Sequence, residues 1–280
     1  MNSLKDEGRM RIKNPERTGG SYMLPDKFKK EYTVREKFVD GYRMETIYKG
    51  NITKEHIYFL HGGAYVLEAC PGHKDFVEKL ADMGFTITYI DYPLAPESTA
   101  EKTIDVVIKG YNKIIQEYSD SNFYLLGDSA GGGLAVSLAI IIRDEKMKIA
   151  PKKSVLISPW LDISLSNKEV LEYDKIDPAL PLDECFNAGV KYRGNIDEKD
   201  PRVSPIYGDL NNLGEFFIIY TDSEILNPDC RLFKDKIEKI SGSTVKTFVE
   251  TETVHDYIIL EGKEKSEKAL KMIEDFLKDK

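Results

Sequence analysis

The chain has 280 residues, of which 41% are hydrophobic and 31% are charged, and its formal net charge is −8 at pH 7. This composition is typical of a soluble globular protein, and an acidic chain without a basic block is not expected to bind nucleic acid or an anionic membrane. Cys70, Cys185 and Cys230 are odd in number and far apart, which argues against a disulfide framework or a zinc site. Because the start of the chain lacks a hydrophobic signal core, we expect a cytoplasmic protein with reduced thiols.

The first half of the chain predicts a hairpin followed by alternating strands and helices. Two runs of alternating polar and apolar residues, 32–39 and 42–48, flank Asp40-Gly41, and this pattern predicts a β-hairpin. The next predicted elements are a strand at 57–60, a helix that includes 76–81, a strand at 86–90, a helix along the apolar stripe 104–118 and a strand at 123–126.

The second half continues the alternation. It predicts a helix at 132–142, strands at 154–157, 216–220 and 245–249, a helix that ends at Gly242 and a final amphipathic helix over 269–277. A hairpin followed by strand–helix repeats predicts an α/β fold with a mostly parallel eight-stranded sheet, an antiparallel edge and helices on both faces. In such sheets the active site lies beyond the carboxyl ends of the strands.

Two segments interrupt this alternation, 1–31 and 161–205. Both contain prolines and only short apolar patches, and connections this long are usually lids or binding loops. We therefore expect a core of residues 32–280 in which 161–205 is an insertion, with 1–31 and the insertion forming a small helical cap. The alternative is a frayed tail and an incidental insertion.

The stretch Gly127-Asp128-Ser129-Ala130-Gly131 predicts a strand, a sharp turn and a helix, with Ser129 at the apex. A turn this tight leaves no room for side chains two residues before or after the serine. It pushes the hydroxyl out of the backbone and aims a helix N-terminus at the group that the serine attacks. Since glycine and serine are common, the pattern needs a base, an acid and an oxyanion hole to support it.

A histidine is the usual base for a serine nucleophile, and the chain has four histidines. His56 precedes a strand and His73 lies near a helix start, so both are expected at the surface. His61 lies in a glycine-rich loop with another predicted use. His255 follows the last strand and is the only histidine after Ser129, so we predict that it is the base.

The acid that orients the base should follow a strand between Ser129 and His255. The strand at 216–220 leads to two carboxylates, Asp222 directly after the strand and Glu224 further into the loop. Spacing alone does not choose between them.

A glycine-rich loop follows the strand at 57–60, where an oxyanion-hole loop belongs. Gly62 and Gly63 let the backbone approach a substrate oxygen without a Cβ in the way. We predict that their N–H groups and that of Ala130 form the oxyanion hole. The alternative is a flexible turn between a strand and a helix.

Five motifs carry a family resemblance: His61-Gly62-Gly63-Ala64-Tyr65, Asp91-Tyr92-Pro93-Leu94-Ala95-Pro96-Glu97, Gly127-Asp128-Ser129-Ala130-Gly131-Gly132-Gly133, Ser158-Pro159-Trp160-Leu161-Asp162 and Asp200-Pro201-Arg202-Val203-Ser204-Pro205. From about residue 55 onward the chain resembles the hormone-sensitive-lipase-like esterases of the α/β-hydrolase superfamily. This resemblance implies a Ser-acid-His triad, an oxyanion hole from the glycine-rich loop and a helical cap. It favours Glu224 as the acid.

The chain departs from the family pattern at two motif positions, and its N-terminal stretch matches the family least. Ala64 replaces the third glycine of the oxyanion loop, and a positive φ is costly for alanine. Tyr220-Thr221 stands where the family often has glycine, so the acid loop is expected to enter at a different angle.

The expected function is a serine carboxylic-ester hydrolase that acts on small short-acyl esters through Ser129, His255 and Glu224, without a cofactor or a metal. Asp128, Trp160 and Tyr65 are expected to contact the substrate. The alternatives are an amide or peptide hydrolase and a non-catalytic ligand receptor on the same fold, and the sequence leaves a homodimer open.

Overall fold

The computed structural model describes residues 3–18, 30–261 and 264–280. Within them, eight strands form one sheet in the order β1-β2-β4-β3-β5-β6-β7-β8. The strands are β1 (Tyr32–Val39), β2 (Tyr42–Lys49), β3 (Glu55–Leu60), β4 (Thr86–Ile90), β5 (Asn122–Asp128), β6 (Lys153–Ile157), β7 (Gly214–Thr221) and β8 (Ser243–Glu250).

The antiparallel edge of the sheet comes from the predicted hairpin. Strand β2 pairs antiparallel with both β1 and β4, whereas the remaining pairs are parallel. Asp40 and Gly41 connect β1 to β2 with φ values of +50° and +88°, which match a turn whose two central residues are left-handed. The prediction of a mostly parallel sheet with an antiparallel edge is confirmed.

Helices cover both faces of the sheet. Successive residues of a strand point to opposite faces: Tyr58 and Leu60 belong to one apolar cluster, and Ile57 and Phe59 belong to the other. The helices are α1 (Leu4–Lys13), α2 (Pro71–Asp82), α3 (Ala100–Glu117), α4 (Ser129–Asp144), α5 (Val170–Tyr173), α6 (Leu182–Arg193), α7 (Asn227–Ile237), α8 (Tyr257–Leu260) and α9 (Glu264–Leu277).

The two clusters separate the helices by face. Apolar residues of α3, α4 and α7 join the cluster of Tyr58, and those of α2, α8 and α9 join the cluster of Phe59. The helix predicted to end at Gly242 ends earlier, at Ile237. Residues 239 and 240 make only i→i−3 backbone bonds, which tighten the chain beyond the helix before β8 begins.

Helix α1 lies against α6 and the segment that joins α5 to α6. Lys5 donates a hydrogen bond to Asp174, and Arg9 pairs with Asp183. Ile12 is buried in the larger apolar cluster. The N-terminal segment and the insertion at 161–205 therefore meet, although residues 1–2 and 19–29 of the predicted 1–31 segment fall outside the described residues.

Gly110 offers a test of the packing between α3 and the sheet. A Cβ at this position would lie 2.4 Å from the Tyr58 hydroxyl, which donates to the Val107 carbonyl. A Gly-to-Ala change inside a helix ordinarily stabilises by about 0.5–1 kcal/mol. We expect Gly110→Ala to reverse that sign and to lower the free energy of unfolding by about 1–3 kcal/mol, measured by urea denaturation.

Tyr58→Phe provides the matched control because it removes the oxygen that the new Cβ would meet. Tyr58→Phe alone should cost about 1 kcal/mol through the lost hydrogen bond. Adding Gly110→Ala to it should then cost little more, so the two changes should be strongly non-additive. A Gly110→Ala variant that is more stable than the wild type would contradict this packing.

Candidate active site

The serine turn joins β5 to α4 and has no space for side chains at its flanks. A Cβ on Gly127 would lie 2.3 Å from the Gly131 carbonyl oxygen, and a Cβ on Gly131 would lie 1.9 Å from the Leu60 oxygen. Ser129 has a φ of +50°, a value that is strained for a residue with a side chain. The crowding predicted from the sequence is present, and it fixes Ser129 at the first position of α4.

A cavity of about 350 Å³ opens at this turn, and both Ser129 and His255 line it. Its charged or ionisable lining residues are Glu7, Arg11, Glu68, Cys70, His73, Asp128, Cys185, His255, Asp256 and Glu261. Its larger apolar lining residues are Leu4, Ile12, Leu67, Trp160, Leu180, Pro181, Leu226, Val254, Ile259 and Leu260. Residues of α1 and of the insertion thus form part of the cavity wall.

Glu224 holds His255 from one side. Nδ1 of His255 lies 2.5 Å from Oε2 of Glu224. The other carboxylate oxygen, Oε1, accepts hydrogen bonds from the Ser158 hydroxyl at 2.9 Å and from the Thr221 amide at 3.0 Å. Glu224 is fully buried, whereas Asp222, the other carboxylate left open by the sequence, is exposed.

Ser158 and Asp177 hold the loop that carries Glu224. The sequence predicted no separate role for either residue. Ser158 directly follows β6 and belongs to the motif at 158–162. Its position at the end of a strand was the sequence signal that could have placed it in the site. Asp177 lies in the insertion, and its carboxylate accepts a hydrogen bond from the Ile225 amide at 2.8 Å. No local pattern connects Asp177 with a loop 48 residues away.

Asp256 contacts the other ring nitrogen of His255. Its Oδ2 lies 3.0 Å from Nε2, and both side chains are buried. Burial lowers the pKa of His255, but Asp256 and Glu224 outweigh burial and raise that pKa well above its ordinary value. Among the described residues no hydrogen bond joins Ser129 to His255. No motif or spacing in the sequence marks Asp256 as part of the site.

The glycine-rich loop reaches the cavity with Gly63 and Ala64. Ala64 has a φ of +53° in spite of its Cβ, so the costly conformation expected there is adopted. The Gly62 amide interacts with the buried carboxylate of Asp128, and Gly62 is not among the described residues that line the cavity. Ala130 is buried in the first turn of α4.

Asp128 is paired with a histidine. Nε2 of His73 lies 3.0 Å from its Oδ2, and Nδ1 of His73 accepts a hydrogen bond from the Cys70 amide. Burial raises the pKa of the Asp128 carboxyl, but His73 outweighs burial and lowers that pKa. The surface position predicted for His73 is therefore wrong, because its ring neutralises a buried carboxylate.

The prediction of an exposed His56 is also wrong. His56 is fully buried, its Nε2 bonds to Thr88, and its ring stacks on Phe123. Burial lowers the pKa of this imidazole to about 3. His61 is buried as well and stacks on Tyr92 with ring centroids 4.3 Å apart. Each ring is held within the core.

Of the three residues expected to contact substrate, two line the cavity and one is not among the described lining residues. Trp160 lines the cavity, as does Asp128. Tyr65 stacks on Tyr192 with ring centroids 3.6 Å apart and is not among the described lining residues. The ring of Tyr65 lies next to that of the lining residue Trp160, with centroids 5.8 Å apart.

Within residues 3–18, 30–261 and 264–280, no cluster of three or more His, Cys, Asp or Glu side chains has the arrangement to hold a metal ion. No helix in this part of the chain combines the length and the apolar content that crossing a membrane requires.

Comparisons with known proteins agree with this architecture. Residues 57–259 match a family described as alpha/beta hydrolase fold. An esterase from Acinetobacter venetianus is 31% identical over 203 residues, which cover 71% of this chain and 66% of that protein. An ethyl acetate hydrolase from Pseudomonas putida is 24% identical over 209 residues, which cover 71% of this chain and 65% of that protein. The chain thus spans slightly less than two thirds of the length of these relatives.

The solved structure of an esterase from the bacterial hormone-sensitive lipase family superposes with a TM-score of 0.84 at 24% identity, covering 99% of this chain and 96% of the other. This likeness shows the fold. The matched family shows that the chain belongs to the α/β-hydrolase fold family, as its resemblance to the hormone-sensitive-lipase-like esterases predicted.

Proposed function

We propose that this protein is a serine carboxylic-ester hydrolase. The observation that carries the proposal is the 2.5 Å contact between His255 and the buried Glu224, in the wall of the same cavity as Ser129. An imidazole held by a carboxylate beside a strained, cavity-facing serine is the arrangement that activates a hydroxyl nucleophile. The esterase and ethyl acetate hydrolase relatives support the same reaction class.

In the proposed reaction, the Ser129 hydroxyl attacks the ester carbonyl while Nε2 of His255 accepts its proton. His255 then gives that proton to the leaving alcohol, and an acyl-enzyme forms. Water, deprotonated by the same imidazole, releases the acid and restores Ser129. Glu224 keeps the Nδ1 proton in place and stabilises the imidazolium that forms in each step.

The proposed oxyanion donors are the N–H groups of Gly63, Ala64 and Ala130. Gly63 and Ala64 line the cavity with Ser129, and Ala130 follows the nucleophile in the first turn of α4. The interaction of the Gly62 amide with Asp128 supports a role for Gly62 in holding the loop, in place of the donor role expected from the sequence. Donors fixed in this way act on the charge that develops in the transition state.

The size of the cavity supports a small substrate. A volume of about 350 Å³ is near the lower end of the usual range for ligand pockets, roughly 300–1,000 Å³. We propose that 1–31 and 161–205 form a cap over the core, since α1 and residues 179–181 supply apolar wall. A wall of this kind favours short acyl chains.

Replacing the nucleophile tests the reaction class. Ser129→Ala should lower kcat for p-nitrophenyl acetate by roughly 10⁴-fold or more, because no oxygen remains to form the acyl-enzyme. The wild type should also be labelled at Ser129 by a fluorophosphonate probe, detected by mass spectrometry, and the variant should not. Turnover by the variant close to that of the wild type would refute the assignment.

Paired amide variants test the choice of acid. Glu224→Gln should lower kcat by about 10³–10⁴-fold, because the amide no longer stabilises the imidazolium. Asp222→Asn, two residues away and exposed, should leave kcat within about twofold, in line with a surface substitution. The reverse order of effects would move the acid role to Asp222.

A series of p-nitrophenyl esters tests the acyl preference. We expect kcat/KM to be highest for acetate or butyrate and to fall for longer chains, because each added methylene must fit a cavity of about 350 Å³. The measurement is initial rate against substrate concentration below the micelle-forming range. A clear optimum on long-chain esters would contradict the proposed size limit.

A further inference from the structure

His255 has a carboxylate against each of its ring nitrogens, and only one of the two fits the proposed mechanism. Glu224 occupies Nδ1, but Asp256 occupies Nε2, the atom that must accept the Ser129 proton. We propose that Asp256 is a positioning residue that competes with Ser129 for Nε2 of His255, so that the enzyme becomes active as the proton shared by Asp256 and His255 is lost. This inference rests on the proposed function.

The backbone conformation of Asp256 favours the contact between Asp256 and His255. Asp256 has φ +54° and ψ +31°, the left-handed region, which aspartate adopts more readily than most residues with a side chain. Its side chain is buried, and its Oδ2 lies 3.0 Å from Nε2. Among the described residues none provides a hydrogen bond to its buried Oδ1. The interaction that holds this carboxylate is thus its pairing with His255.

The competition does not depend on which partner carries the proton. With the proton on Nε2, the imidazolium pairs with the Asp256 carboxylate and has no lone pair for Ser129. With the proton on Asp256, the neutral acid donates to the Nε2 lone pair and blocks it as well. The nitrogen becomes free only when the pair has lost this one proton, so the pair titrates as a unit.

The surroundings favour retention of that proton. Glu224 lies behind the ring, and the carboxylate of Asp177 also acts on His255 electrostatically. The other charged or titratable groups around the pair line the same cavity: Glu7, Arg11, Glu68, Cys70, His73, Asp128, Cys185 and Glu261. Of these, Asp128 is paired with His73. Carboxylates outnumber cations, so the local field stabilises a protonated pair.

The pKa directions agree with this geometry. Burial raises the pKa of Asp256 to about 7, and the two flanking carboxylates raise the pKa of His255 well above its ordinary value. The proton is therefore held below these raised pKa values and lost above them. The acid limb of the pH–rate profile is the pH range in which activity falls as the pH decreases. We expect this limb to lie at a higher pH than for a histidine with one carboxylate partner.

Two substitutions remove the competing charge without disturbing the backbone. Glycine adopts the left-handed conformation at no steric cost, and asparagine also tolerates it. In Asp256→Gly and Asp256→Asn, the acid limb of kcat/KM for p-nitrophenyl acetate should move down by about one pH unit or more. At pH values below the wild-type limb, kcat/KM should rise about fivefold to tenfold.

Glu252→Gly is the matched control. Glu252 lies in the same loop, also has a positive φ of +51°, and is exposed. This variant removes one carboxylate from the loop but should leave the acid limb where it is, because a solvated charge acts weakly on a buried ring. If Asp256 had only a structural role, its substitution would change the rate or the stability without shifting the acid limb.

A second measurement follows the protonation of His255 without substrate turnover. The titration of His255, followed by NMR of labelled histidines in the Ser129→Ala background, should show a lower pKa when Asp256→Gly is added. An unchanged His255 titration, or an acid limb that stays in place or moves to higher pH, overturns the proposal. A wild type that neither turns over esters nor reacts with a fluorophosphonate would instead overturn the proposed function, and with it the catalytic meaning of the pair.

Discussion

The close approach of three backbone segments at the serine turn is the constraint on which the active site depends. The end of β3, the end of β5 and the start of α4 meet where any Cβ on Gly127 or Gly131 would overlap a backbone carbonyl. Within this crowded turn Ser129 has a positive φ, and helix α4 begins at Ser129. It also brings the glycine-rich loop after β3 beside the serine. The sheet order, in which β3 and β5 are neighbours, is therefore as necessary for the site as the serine itself.

The cost of burying charge organises the rest of the site. Three carboxylates lie there with little exposure: Asp128, Glu224 and Asp256. A buried carboxylate without a partner is strongly destabilising, and each of these has an imidazole against it, His73 for Asp128 and His255 for the other two. The first pair lines the cavity, and its carboxylate interacts with the Gly62 amide of the glycine-rich loop. In the second group two carboxylates share one base, so its protonation is coupled to the electrostatics of the whole pocket.

The fold could be predicted from the sequence to a large extent because its signals are local. Alternation of polar and apolar residues and the Asp40-Gly41 pair defined the hairpin, and short apolar runs defined the parallel strands. The positions of His56 and His73 could not be predicted, because their partners, Thr88 and Asp128, are distant in the chain. Spacing left the acid open between Asp222 and Glu224, since that choice depends on Ser158 from another strand end and on Asp177 from the insertion.

Asp256 shows a different limit, because its partner is its direct neighbour. Adjacent side chains in an extended or helical segment point apart, so sequence proximity alone gives no reason to pair residues 255 and 256. The left-handed conformation of Asp256 changes that geometry, and it results from the way the loop after β8 turns into α8. The pairing satisfies a buried carboxylate in the resting protein, yet it occupies the nitrogen that we propose accepts the Ser129 proton. Stability of the resting site and availability of the base are thus opposed at a single atom, and the proton on this pair determines which of the two prevails.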